Sequence, residues 1–148
     1  MKRAYFLLIA LLGLLLSTAT QAASISGKAR VLDGNTLALG AQRVRLFGIA
    51  APEITQNCTL AGKVWACGAD VATALHIQVG EQVVNCDERG IDATKTVTAV
   101  CKVGTLDLGD WMVRNGWARA DRRASMMYVS AEIAARKAQV GLWKAGAQ

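Results

Sequence analysis

Between Ile25 and Ile49 the sequence alternates apolar and polar residues three times over with only tight turns in between, which constrains this part of the chain to three antiparallel strands. Ile25, Ala29 and Val31 alternate with Ser26, Lys28 and Arg30; Leu37 and Leu39 resume the pattern after Asp33-Gly34-Asn35. Asp-Gly between alternating segments is a strong hairpin signal. In the third segment, Gln42 to Ile49, a period of two puts Val44 and Leu46 on one face and Arg43, Arg45 and Phe47 on the other. Pro52 ends it, because proline cannot donate to a ladder and restrains the residue before it.

Downstream the period changes. From Gly68 to Val79, Val71, Leu75 and Val79 recur at helical spacing, which predicts an amphipathic helix. Gln82 to Cys86 and Val97 to Cys101 are β-rich, with a polar connection from Asp87 to Lys95. Leu108, Met112 and Val113 run up to Gly116, and Val129, Ile133 and Val140 run up to Gly141, so two more helices with glycine stops are expected. The order βββ-α-ββ-α-α predicts an α+β fold: a small five-stranded OB-fold barrel with three helices packed on it.

The first 22 of the 148 residues have the layout of a secretory signal peptide: Lys2 and Arg3, an apolar run from Ala4 to Leu16, and small polar residues to Ala22. That run is shorter than the roughly 20 apolar residues of a transmembrane helix, and no later segment approaches that length. The expectation is cleavage near Ala22, no membrane span afterwards, and one exported domain, periplasmic or secreted, over residues 23–148. An uncleaved anchor is the alternative. Without Lys2 and Arg3, 15 basic residues face 11 acidic ones. This mild excess suits a polyanion partner and is also ordinary for solubility.

Cys58, Cys67, Cys86 and Cys101 all follow the leader, and an even count in an exported chain suggests disulfides. Of three pairings, Cys58–Cys67 with Cys86–Cys101 is favoured, because one closes a short loop and the other ties neighbouring strands. Neither pair has the tight spacing of a zinc knuckle.

The element order, the stretch Val31-Leu32-Asp33-Gly34-Asn35-Thr36-Leu37, the stretch Val44 to Glu53 and the terminal Gly141-Leu142-Trp143 together resemble the thermonuclease (staphylococcal nuclease-like, SNase) family. Cys58, Trp65-Ala66-Cys67-Gly68 and Tyr128-Val129 with Ala131-Glu132 look like its exported, disulfide-bearing bacterial branch, which includes succinoglycan (exopolysaccharide) biosynthesis proteins. The resemblance implies calcium-dependent hydrolysis of DNA or RNA phosphodiesters on one face of the barrel. It implies catalytic roles for Arg45 and Glu53 and metal contacts from Asp33 and its neighbour. The family pattern Asp-Gly-Asp-Thr is met by Asp33, Gly34 and Thr36, but Asn35 replaces its second aspartate. Ala50 stands where another metal-binding aspartate is expected, and Ala51 where threonine is expected. The family's second arginine falls on Thr96 or, with a one-residue slip, on Lys95.

Calcium takes roughly 6–8 oxygen ligands, so two missing carboxylates predict weak or absent Ca2+ binding at Asp33 and Asn35. Plain structural readings compete at each position. The Asp-Gly pair can be only a turn, and Arg45 can pair with Glu53 instead of holding a phosphate. His76 has no catalytic partner nearby in sequence, and Trp65, Trp111, Trp117 and Trp143 read as packing residues in or beside helices. Arg114, Arg119, Arg122 and Arg123 form the densest positive patch, which suits nucleic acid or an anionic polymer and equally a solvated face. Two functions follow: an exported polyanion-binding domain with a degenerate nuclease site and little or no cleavage, or a secreted calcium-dependent nuclease of reduced activity.

Overall fold

A computed structural model describes residues 24–144 of the chain; the expected signal peptide lies outside the described residues. The elements are β1 (Ser24–Asp33), β2 (Thr36–Leu39), β3 (Gln42–Leu46), β4 (Ile49–Ala50), β5 (Cys58–Leu60), β6 (Lys63–Trp65), α1 (Cys67–Val79), β7 (Val83–Ile91), β8 (Val97–Val103), β9 (Leu106–Asp107), α2 (Leu108–Arg114), β10 (Arg119–Ala120) and α3 (Val129–Ala138). A 3-10 turn, Gly141–Trp143, follows.

Strand β1 serves two neighbours. Its first half, Ser24 to Lys28, pairs with β7, and its second half, Ala29 to Asp33, pairs with β2. Strands β2 and β3 pair antiparallel, as do β7 and β8, and a parallel ladder between β3 and β8 closes the ring. The result is the expected five-stranded barrel. Leu37, Leu39, Val44 and Leu46, read from sequence by their period of two, fill it together with Val84, Cys86, Ala99, Cys101 and Val103, all buried. Val71, Leu75 and Val79 of α1 and Leu108, Met112 and Val113 of α2 complete that core. Burying each large aliphatic side chain stabilises by about 1.5–3 kcal/mol relative to exposure.

Both expected disulfides are present, Cys58–Cys67 and Cys86–Cys101, and the second joins residues directly opposite each other on β7 and β8.

Four local expectations differ. Strand β7 continues past Cys86 to Ile91, because the ladder with β8 continues while the polar side chains Asp87 and Arg89 face water. The connection expected from Asp87 to Lys95 is therefore a tight turn after Ile91. Helix α3 ends at Ala138, where Gln139 takes the left-handed conformation two residues before Gly141, which has a positive φ as well. Its buried row is Tyr128, Ala131, Glu132 and Ala135, which faces α2, so Ile133 is 58% exposed. The fourth concerns Trp65, which lies on β6 of a short β5–β6 hairpin absent from the sequence reading.

Candidate functional site

The Asp33–Thr36 turn sits where the barrel meets α1. A Cβ on Gly34 would lie 2.5 Å from Cγ1 of Val71 and 2.9 Å from Cβ of Ala51. Neither Gly34 nor Asn35 has a positive φ, so the turn is not the mirror-image type that usually selects Asp-Gly. Glycine is needed here because α1 and the segment after β4 press against the turn. Asp33 Oδ1 accepts the Asn35 N–H at 2.9 Å, and Asn35 Oδ1 accepts the Thr36 hydroxyl at 3.2 Å. Both side chains thus have an oxygen engaged within the turn itself.

Arg45 lies opposite Thr36 in the β2–β3 register, with its side chain on the outer face. Its Nε is 3.6 Å from Oδ2 of Asp92, so the ion pair weighed for Arg45 and Glu53 is made with Asp92 instead. Asp92 organises the turn before β8. Its Oδ1 accepts the Thr94 hydroxyl at 2.6 Å, the Thr94 N–H at 2.8 Å and the Thr96 N–H at 3.0 Å. These bonds, the Thr94 hydroxyl foremost, hold the Asp92 carboxyl below the usual carboxylate range, and Arg45 adds least. Thr96 is half-buried just before β8, whereas Lys95 is exposed with φ 61°.

Ala50 is exposed and paired with Arg119 across β4 and β10. Glu53 follows in an exposed loop whose backbone is tightly fixed. The Gln56 N–H donates to the Glu53 carbonyl at 2.8 Å, and the Gly68 N–H donates to the Gln56 carbonyl at 3.0 Å. A Cβ on Gly68 would come within 1.8 Å of the Glu53 carbonyl oxygen. The first turn of α1, tied through Cys58–Cys67, therefore sets where Glu53 stands. Sequence reading found Glu53 but not Gly68 as its support. Among the described residues no three His, Cys, Asp or Glu side chains converge as a metal-binding group.

The arginine patch is largely neutralised. Arg114 pairs with Asp110 at 2.9 Å, Arg122 lies 3.1 Å from the buried Glu132, and Arg123 lies 3.6 Å from Asp121. Glu132 also accepts from Arg136 at 2.7 Å. Its second oxygen has no well-aligned hydrogen bond, so the Arg122 contact is electrostatic. Arg119 has no carboxylate partner among the described residues and stacks on Trp143, 5.3 Å from the ring centroid. Beside it is a cavity of about 300 Å³ between Trp65 of β6 and Trp143. These two tryptophans line a cavity rather than the core, while Trp111 and Trp117 pack against the core as expected. His76 is exposed on α1, beside a shallow apolar groove containing Ile54.

A family model described as staphylococcal nuclease homologue matches residues 43–145. The chain belongs to this family. Over 142 residues it is also 31% identical to the succinoglycan biosynthesis protein ExoI of Rhizobium meliloti, covering 92% of this chain and 74% of the relative. The match to the staphylococcal nuclease homologue family begins at Arg43, so it takes in Arg45, Glu53 and Thr96 and leaves out the Asp33–Thr36 turn. Nuclease homologues of this family generally depend on calcium.

Proposed function

We propose that this domain binds a polyanionic chain, nucleic acid or an acidic polysaccharide, along its Arg45 side and cleaves it little or not at all. The shortage of carboxylates carries this reading: Asn35 and Ala50 stand where the family resemblance implies aspartates, and no three His, Cys, Asp or Glu side chains converge among the described residues. Calcium takes roughly 6–8 oxygens and its affinity follows the carboxylate count. Asp33, an asparagine oxygen already bonded to Thr36, and an exposed Glu53 do not fit that demand. We therefore route no chemical step through a metal. Arg45 supplies a planar fork of donors for a phosphate or carboxylate, and Thr96 brings only a hydroxyl where the family resemblance implies a second fork.

Two disulfides suit an oxidising compartment, so we place the domain in the periplasm or outside the cell, with residues 1–22 as its cleaved leader. The relative named for succinoglycan biosynthesis puts an exopolysaccharide among the polymers to test.

The test offers single- and double-stranded DNA and RNA to the purified protein with calcium or with chelator, alongside the double variant Asn35→Asp, Ala50→Asp. Expected is binding that weakens steeply with salt, no efficient turnover, and calcium-dependent cleavage gained only by the double variant. Retention of Arg45 and of an exposed Glu53 favours the second reading, a weak secreted calcium-dependent nuclease. Under that reading the unmodified protein cleaves with calcium, and Glu53→Gln abolishes it.

A further inference from the structure

We propose that the cavity between the β5–β6 hairpin and Trp143 binds a single pyranose unit carrying one carboxylate. Arg45 is not among its lining residues, although Ala50 and Ala51 on the way to Glu53 are, and the proposal does not rest on the polyanion reading. The walls include Ala50, Ala51, Gln56, Trp65, Arg119 and Trp143, with no acidic side chain among the residues lining it. Its volume of about 300 Å³ suits one ring.

Charge identifies the ligand. Of the four arginines in the C-terminal patch, the other three are matched to carboxylates, and Arg119 alone is left without one among the described residues. Stacking on Trp143 and the β4–β10 pairing hold Arg119 in place. A fixed planar guanidinium matches a carboxylate through two parallel hydrogen bonds. One cation in the lining balances one negative charge, and the dianion of a mononucleotide phosphate would be left half-balanced.

The rest of the cavity fits the ring. Arg119 and Arg136 lie 5.3 Å and 3.9 Å from the Trp143 centroid, so that indole is already engaged. Trp65, its Nε1–H tied to Asp70, offers the other aromatic surface, suited to the apolar C–H face of a sugar. Gln56, whose Oε1 accepts the Glu53 N–H, leaves its amide NH2 to donate to a ring hydroxyl. The Cys58–Cys67 bond holds this wall rigid, which lowers the ordering cost of binding.

The test titrates the purified protein with methyl glucuronoside, with neutral methyl glucoside and with cytidine monophosphate, following the indole N–H resonances of Trp65 and Trp143. The acidic sugar is expected to shift both resonances saturably and to bind about tenfold or more tighter than the neutral one. Arg119→Gln should remove that preference, Trp65→Leu should weaken both sugars, and Lys28→Gln, which alters an exposed cation paired with Glu81, should change neither. If Arg119→Gln fails to fold, Arg119→Lys, which keeps the charge without the fork, should give an intermediate preference. Equal affinity for the two sugars, tighter binding of the nucleotide, shifts confined to other residues, or no saturable shift would each overturn the proposal.

Discussion

Asp92 holds the arginine that a bound polymer would need. The ion pair is partly exposed and adds little to stability, yet it places a carboxylate where a phosphate or sugar acid would compete for Arg45. Asp92→Asn is therefore expected to tighten polyanion binding a few-fold at low salt, measured by fluorescence anisotropy. The same residue predicts a response to acid. Its carboxyl titrates below the unfolded value, so its stabilisation is present above that value and disappears as pH falls through the folded one. Between those limits the urea midpoint of Asp92→Asn should fall less than that of the parent. Arg45, Glu53 and Asp33 were legible because a local motif carries each of them. Asp92 was not, since the signal is an aspartate two residues before a threonine in a stretch that reads as loop.

Helices α2 and α3 are joined at their beginnings by two side chains. Asp107, the N-cap of α2, accepts the Asp110 N–H at 3.0 Å and the Tyr128 hydroxyl at 2.9 Å, and Tyr128 is itself the N-cap position of α3. Tyr128→Phe should destabilise by about 1–3 kcal/mol in urea denaturation, because Asp107 loses a charge-assisted bond. Burial first, then the Asp107 carboxylate, push the Tyr128 phenol well above its ordinary range. Its contribution is thus complete below the unfolded tyrosine value and declines as pH rises past it, so the phenylalanine variant should lose less stability in alkali. Gly68→Ala tests another junction. Its Cβ would meet the Glu53 carbonyl, and a loss of about 1–3 kcal/mol or more is expected, read from the thermal midpoint. Periodicity located all three helices, but not the face of α3. Ile133 looks like core and is exposed, whereas Glu132 looks like surface and is buried between two arginines, an arrangement visible only once α2 is beside it.

For the whole molecule, element order alone was enough to predict the barrel, since five short alternating strands with a helix after the third have few ways to bury one face. The short β5–β6 and β4–β10 pairings were hidden because segments of two or three residues carry no period. The disulfides differ in access: Cys86 and Cys101 are fully enclosed, whereas Cys58 is partly exposed on the hairpin. Mild reductant followed by alkylation should label Cys58 and Cys67 first, with the barrel still folded. Replacing either pair by alanine should cost about 2–4 kcal/mol. The parallel ladder between β3 and β8 has a consequence in time. Val44 must wait for Val97, so while the chain is being made β3 keeps an unpaired edge until nearly all the barrel has been synthesised. A chain interrupted before Val97 is therefore not a smaller barrel but an open sheet, prone to pair with its neighbours.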